Sequence, residues 1–324
     1  MKSLRVNILL TIGALACAIA PAAAQSYPQK AVRMIMPVSA GSGSDVIGRI
    51  IATGMSEHFG QQVVVDNRAG AAGNIGAEAA ARAAADGYNV LFAFVGLAAN
   101  AVLYENLRYD VLRDFAPVTL LGSSAAIVVV HPSLPVKSIA ELVKLAKQKP
   151  GAINYASGGA GTPTYIGAEL FKRQAGIDLL HIPYRAGGEA LTSVIAGETG
   201  IYFAPLASTL PYLKQGRLRA LAVTSTRRLG LLPQYPTVAE LGYPDYVVNS
   251  WHGMAFPAGT PKEIVARLHR ETIKILDMPS VRAKLELAGF AVEGSASPEH
   301  FSAYIEAETR KWARIIKDAK LSAD

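Results

Sequence analysis

The chain has 324 residues, 51% of them apolar, and a formal net charge of +7 that is spread without a Lys/Arg stripe, which speaks for solubility and against nucleic acid. Its single cysteine is Cys17, and its histidines (His58, His131, His181, His252, His269, His300) never fall at helical ligand spacing. Composition therefore points away from a disulfide framework, thiolate chemistry and a metal centre.

Lys2 and Arg5 precede an apolar run over residues 6–20, and Ala22-Ala23-Ala24 ends in the small-x-small pattern of a secretory leader cut after about Ala24. That run is too short and too alanine-rich for a membrane span. Ala14-Leu15-Ala16-Cys17 resembles a lipoprotein box with alanine where leucine is usual. Cleavage takes 24 residues off the 324 and leaves 300 without cysteine, enough for about two domains in an oxidising periplasm.

After the leader, residues 32–36 read as a strand and 45–59 as a helix with Ile47, Ile50, Ile51, Met55 and Phe59 on one stripe. The loop between them, Val38-Ser39-Ala40-Gly41-Ser42-Gly43-Ser44-Asp45, sets bare backbone and hydroxyls at a helix start. A helix N-terminus carries about half a positive charge and unsatisfied donors, so the loop reads as a seat for a carboxylate or phosphate. It also reads as an ordinary capped turn, with Ser42 and Asp45 spaced as in a capping box. Strands follow at 63–65 and 90–94, with a helix at 74–85 between them. Residues 118–121 and 127–130 form two further strands with no helix between, as if the chain left one sheet for another.

The second half repeats the logic. A helix is expected at 138–147 and a strand at 153–156, followed by Ser157-Gly158-Gly159-Ala160-Gly161-Thr162-Pro163 and a helix that Gly176 ends. Thr162 suits the N-cap and Pro163 the first helical position. Strands at 179–182, 200–203 and 218–223, a short helix at 211–215, an extended run at 246–250 and helices at 262–276 and 298–316 complete an α/β pattern with largely parallel sheets. Two strand–glycine loop–helix units facing each other across a cleft would grip an anion from both sides.

No arrangement for turnover is visible. G-x-S-x-G and Walker A are absent, Thr164 stands where a dinucleotide fingerprint needs its third glycine, and the acids Asp45 and Glu189 have no partner in sequence. Neither a cofactor nor a metal is expected.

The segments YPQKAVRMIMPVSAGSGSDVIGR, VVVDNRAGAAGNIGAEAAARAAADGY, INYASGGAGT, HIPYRAGGEALTSVIAGE and SWHGMAFPAGTPKEIV, in this order along essentially the whole mature chain, resemble the Bug-type substrate-binding proteins of tripartite tricarboxylate transporters. The resemblance implies a two-lobed periplasmic binding protein of the Venus-flytrap, type II-like kind, each lobe a mostly parallel sheet flanked by helices. Lobe 1 would be discontinuous, 26–122 and 249–324, and lobe 2 would run over 126–246, with crossovers near 121–126 and 246–250. A monomer is expected to capture a small organic carboxylate and deliver it to membrane transporter subunits, or else to a periplasmic sensor. A secreted α/β enzyme is the rival. The family's mode of holding carboxylates maps onto Val38, Ser39, Ala40, Gly41, Ser42, Gly43 and Asp45 in the first loop. In the second it maps onto Ser157, Gly158, Gly161 and Thr162. Trp251 and His252 would lie beside the first loop and Tyr184 beside the second. Ala40-Gly41-Ser42-Gly43 departs from the family by one serine for glycine, Phe94 and Leu97 stand where hydroxyl residues are frequent, and Ala204 stands where an aspartate is frequent. Phe94 and Leu97 either wall the cleft or pack into the core. Loss of these polar groups implies a ligand with an apolar or aromatic body rather than an amino acid or a citrate-like polyacid.

Overall fold

The computed structural model describes residues 27–319 except Thr226, Asp245 and Val247; the leader, its cut near Ala24 and Cys17 lie outside the described residues. β1 (Val32–Met36) pairs in parallel with β2 (Val63–Asn67) and β3 (Asn89–Phe94). β5 (Asn154–Ser157) pairs in parallel with β6 (Leu180–Pro183) and β7 (Ile201–Pro205). These two parallel trios are the centres of two sheets, and the sheets share a strand.

That strand is β4 (Phe115–Val130), 16 residues long, where the sequence suggests two short strands. Its first part, through Ala125, runs antiparallel to β9 (Asn249–Pro257), and from Ala126 onward it runs antiparallel to β7 and to β8 (Arg219–Val223). β10 (Phe290–Val292) pairs with the same strand at Gly122 to Ser124. Gly122 has φ +145°, and a Cβ there would strike the Ala291 carbonyl, so the glycine lets the strand bend where neighbouring backbone crowds it. The glycine-serine run in mid-strand hides the continuity from a sequence reading.

Helices cover both sheets: α1 (Gly43–Phe59), α2 (Asn74–Ala81), α3 (Val95–Leu103), α4 (Ile139–Gln148), α5 (Pro163–Ala175), α6 (Gly187–Ala196), α7 (Leu206–Lys214), α8 (Lys262–Asp277), α9 (Pro279–Leu287) and α10 (Pro298–Ala319). α1 begins earlier than expected, because Ser42 is the N-cap and its oxygen accepts the Asp45 N–H at 3.3 Å. The other half of the expected capping box differs: the Asp45 carboxylate accepts from Gly41 rather than from Ser42. α5 begins as expected, with Thr162 as N-cap, and stops at left-handed Gly176. α2 ends before residue 85, and α3, α6 and α9 are absent from the sequence reading.

Strand alternation sends successive side chains to opposite faces and so builds a core on each face of each sheet. Met34, Met36, Ile47 and Phe92 fill one side of the first sheet, and Ile35, Leu91, Trp251 and Phe301 the other. On the second sheet Val128, Tyr155 and Phe203 oppose Ile127, Tyr202 and Ala204. The lobes meet at several points. Gly43 lies against Pro205, the α5 residue Ile166 enters the core around Trp251, and Leu206 lies against Gly289.

Candidate functional site

Between the lobes, at the C-terminal ends of the parallel strands, lies a cleft of about 110 Å³. Ligands of open α/β sheets bind in this position because the helices that follow the strands begin there. The N-cap residues of six helices line it: Ser42 of α1, Gly73 of α2, Phe94 of α3, Thr162 of α5, Ala186 of α6 and Pro205 of α7. Three belong to each half of the molecule. Only Ser42 and Thr162 cap their helix with a side chain; the other four starts have no side-chain cap. First-turn N–H groups without such a cap need an acceptor from elsewhere. Among the described residues lining the cleft, Arg185 is the one charged side chain, and no carboxylate faces it. The Ser39 hydroxyl is buried with no partner in the protein. Helix starts and one cation converge here without a carboxylate, so the electrostatics favour an anion.

The first loop is pinned from behind. Asp45 is 2% exposed and accepts from Gly41 N–H at 2.9 Å, Arg49 Nε at 2.8 Å and Asn67 Nδ2 at 2.8 Å. Burial alone would raise its pKa, but the hydrogen bonds from Arg49, Asn67 and Gly41 outweigh it and hold the carboxyl below its ordinary range. Asp45 thus braces the loop and does not line the cleft. His252 is 1% exposed, with Nε2 2.9 Å from Ser44 Oγ, and burial among Phe92 and Phe290 pushes its pKa down to about 3. It is a neutral brace for a cleft-lining serine. Among the described residues no acid is hydrogen-bonded to the His252 ring, as a Ser-His-Asp triad requires.

The second loop uses hydroxyls. Ser157 Oγ lies 2.7 Å from His181 Nε2 and accepts the Gly159 N–H at 3.0 Å; Thr164 Oγ1 accepts the Gly158 N–H at 3.1 Å; Thr162 Oγ1 donates to the Gly159 carbonyl at 2.6 Å. His181 stacks on Tyr155 at 4.8 Å, and Tyr155 donates to Glu169, which also pairs with Lys172 at 2.8 Å. Burial lowers the His181 pKa, Glu169 opposes that and Lys172 adds to it.

Of the residues singled out from sequence, Val38, Ser39, Ser42, Gly43, Phe94, Gly158 and Thr162 line the cleft. Ala40, Gly41, Asp45, Ser157, Gly161, Tyr184, Ala204, Trp251 and His252 do not. Ala204 and Trp251 are buried in the cores, while Tyr202, Phe203 and Pro205 line the cleft around the first and Ser250 beside the second. Ala204 packs in the second sheet's core, and the Trp251 indole N–H donates to Glu308 at 3.1 Å. Leu97 and Phe94 both pack in the core of the first lobe, and Phe94 also lines the cleft.

The sequence reading missed a third arm, the turn Ala69-Gly70-Ala71-Ala72-Gly73 before α2. Residues 70–73 all have positive φ (127°, 47°, 53° and 95°), which is strained for the two alanines. Such strain persists only where surroundings enforce it, and it clusters at functional sites. Glycines bracketing an Ala-Ala pair ahead of a helix are the signal that was available.

The family model described as "Tripartite tricarboxylate transporter family receptor" matches residues 47–321, and the chain belongs to this family. It is similar to Protein BugT of Bordetella pertussis, 33% identical over 305 residues that cover 92% of this chain and 92% of the relative. Among solved structures it is similar to R. palustris Rpa4515 with adipate (34% identity, TM-score 0.88, covering 91% of this chain and 99% of that one). It is also similar to MatC (Rpa3494) from Rhodopseudomonas palustris with bound malate (27% identity, TM-score 0.84, covering 90% and 100%). Solved relatives of this two-lobed fold are periplasmic binding proteins, as the sequence resemblance implies.

Proposed function

We propose that the cleft holds a small organic carboxylate with a substantial apolar body, which the protein carries through the periplasm to a tripartite tricarboxylate-type membrane transporter. The observation that carries this is the ring of six helix starts around a cleft with one cation and no acid. A carboxylate satisfies the uncapped N–H groups and the Ser39 hydroxyl. An ammonium group has no carboxylate to pair with and would be buried at great cost. Phe94, Phe203, Val248 and the alanines of the crossover strand leave the rest of the ligand an apolar wall. Relatives solved with adipate and with malate support the carboxylate and make adipate, whose spacer is aliphatic, the first acid to try. The division at the crossovers, 26–122 with 249–324 against 126–246, is the proposed hinge pattern.

A thermal-shift screen over adipate, malate, benzoate, aliphatic monocarboxylates, aspartate and citrate tests this reading. An acid at about a hundred times its dissociation constant should add about 2.7 kcal/mol of stability. Each acid that binds is then recovered and assayed. Return of intact adipate-like or apolar acid is the expected result; consumption of the acid, or binding of aspartate or citrate alone, would overturn the proposal.

A further inference from the structure

Asn100 sits in α3, 1% exposed, and its amide has two unequal ends. Nδ2 donates to the Ala72 carbonyl at 3.0 Å and to Asn74 Oδ1 at 2.9 Å; Tyr109 OH donates to the same Asn74 oxygen at 2.8 Å. Asn100 therefore holds the strained turn 70–73, which lines the cleft from the first lobe. Its other end, Oδ1, is buried and has no donor. That oxygen faces the second lobe: a Cβ built on Gly161 would stand 2.6 Å from it. One turn further along the chain, Tyr104 OH donates to the Ala160 carbonyl at 3.2 Å, again across the lobes. Gly161 has φ +83°, so both its conformation and its missing side chain let the second loop approach this close.

We infer that Asn100 is a latch between the lobes: one end of its amide fixes the cleft-lining turn of the first lobe, and the other is the acceptor that the second glycine loop meets when the lobes close. A buried acceptor without a donor is costly to keep, and this one lies against Gly161 of the second glycine loop. The turn and closure are then linked. Lobes that separate expose the Asn100 carbonyl and loosen its grip on Ala72, and a turn in disarray removes the surface on which the second loop docks. Tyr104 adds a second point of contact without touching the turn. The ligand-facing role of the turn rests on the function proposed above; the link between lobes does not, and it can be read without any ligand.

The absence of cysteine after position 17 allows spin labels at Val64→Cys and Leu180→Cys, exposed residues on the outer strands of the two sheets, in a Cys17→Ser chain. Pulsed dipolar spectroscopy on the ligand-free protein should find the wild type mainly at the spacing of the closed lobes. Asn100→Ala should move the population away from it. Hydrogen exchange on the same samples should speed up for Ala71 to Asn74 and for Ala160 to Thr162 together. Tyr104→Phe should shift the lobe distance while leaving exchange at Ala71 to Asn74 unchanged. Gly161→Ala should disturb the distance in the wild type and less so in the Asn100→Ala background, since the clash is with Asn100. Faster exchange at the turn with an unchanged lobe distance would reduce Asn100 to a local brace and overturn the inference. A wild type with no closed population, or equal effects of Gly161→Ala in both backgrounds, would do the same.

Discussion

The two glycine loops face each other across one cleft and share a plan: parallel strand, small-residue loop, hydroxyl N-cap, and a serine paired with a histidine from another strand of the same sheet. They differ in what holds them. The first is fixed by charge, a buried Asp45 accepting from three donors, and by a histidine that is fully buried and neutral. The second is fixed by hydroxyls alone, and its histidine is half-buried beside Glu169 and Lys172. A loop pinned by a buried charge resists displacement, whereas a loop of exchangeable hydroxyls adapts at little cost. The first loop reads as the fixed jaw and the second as the one that adjusts to the ligand.

Acid should separate the two loops most strongly. The folded pKa of His252 is about 3, below the unfolded value of about 6.5. Between these values the unfolded chain binds a proton that the folded chain refuses, so stability is full above pH ~6.5 and falls by up to about 1.4 kcal/mol per pH unit as the pH drops towards 3. His181 is lowered as well and acts in the same direction. Urea unfolding from pH 7 to pH 4 should therefore show a slope that His252→Phe flattens more than His181→Phe does. Equal flattening would erase the contrast between the jaws. Asp45 works at lower pH: its carboxyl is held down, so its contribution is present above the unfolded carboxylate value and is lost only as the pH falls through the depressed one.

Asp45→Ala should cost about 3 kcal/mol, because Gly41 N–H and Asn67 lose a charged acceptor; the Arg49 share is small, since that side chain is half exposed. Ser157→Ala, the matching change in the second jaw, should cost about 1 kcal/mol. Similar losses from urea unfolding would mean that charge and hydroxyls hold the loops equally well.

Gly43→Val tests the contact of the jaws rather than either loop. Gly43 has no positive φ, so the fold should survive, but its new Cβ would strike Pro205 of the other lobe. Affinity for an acid that binds the wild type should fall about a hundredfold, ~2.7 kcal/mol by calorimetry, with an unfolding midpoint close to wild type. Unchanged affinity would show that the ligand is held with the lobes further apart.

The contrast between capped and uncapped helix starts accounts for part of what is legible in the sequence; α2 and α8 also start without a side-chain cap, but Gly73 and Pro261 punctuate the chain there. α1 and α5 announce themselves with Ser42 and Thr162, and both were placed to within a residue or two. α3 and α6 begin at Phe94 and Ala186, which are not capping residues, and both went unread. A helix whose first N–H groups serve a ligand has no use for a side-chain cap, so the usual start signal is missing where function is densest. Ala204 and Trp251 are marked by family correspondence, but both side chains sit in the cores, and at those points of the two strands Tyr202, Phe203, Pro205 and Ser250 line the cleft. The 70–73 turn is hard to read because two of its four positive-φ residues, Ala71 and Ala72, are alanines, which carry no turn signal.

The smallest expected effect separates the jaws at a single atom. Serine is as good an N-cap as threonine or better, so capping alone would make Ser42→Ala the costlier change, at about 1 kcal/mol. The structure reverses that order. Ser42 Oγ accepts one N–H, from Asp45, and the loop before it remains tied by the Asp45 carboxylate to Gly41 when the hydroxyl is removed. Thr162 Oγ1 caps Tyr165 N–H and also donates to the Gly159 carbonyl at 2.6 Å, beside Thr164 Oγ1 at 2.9 Å. Thr162→Ala thus releases the loop along with the helix, and should cost about 1.5 to 2 kcal/mol. Thr162→Ser keeps the hydroxyl and should restore most of the loss. If Ser42→Ala proves the more damaging of the two, the second loop is held by something other than its hydroxyls, and the picture of a fixed and an adjustable jaw fails.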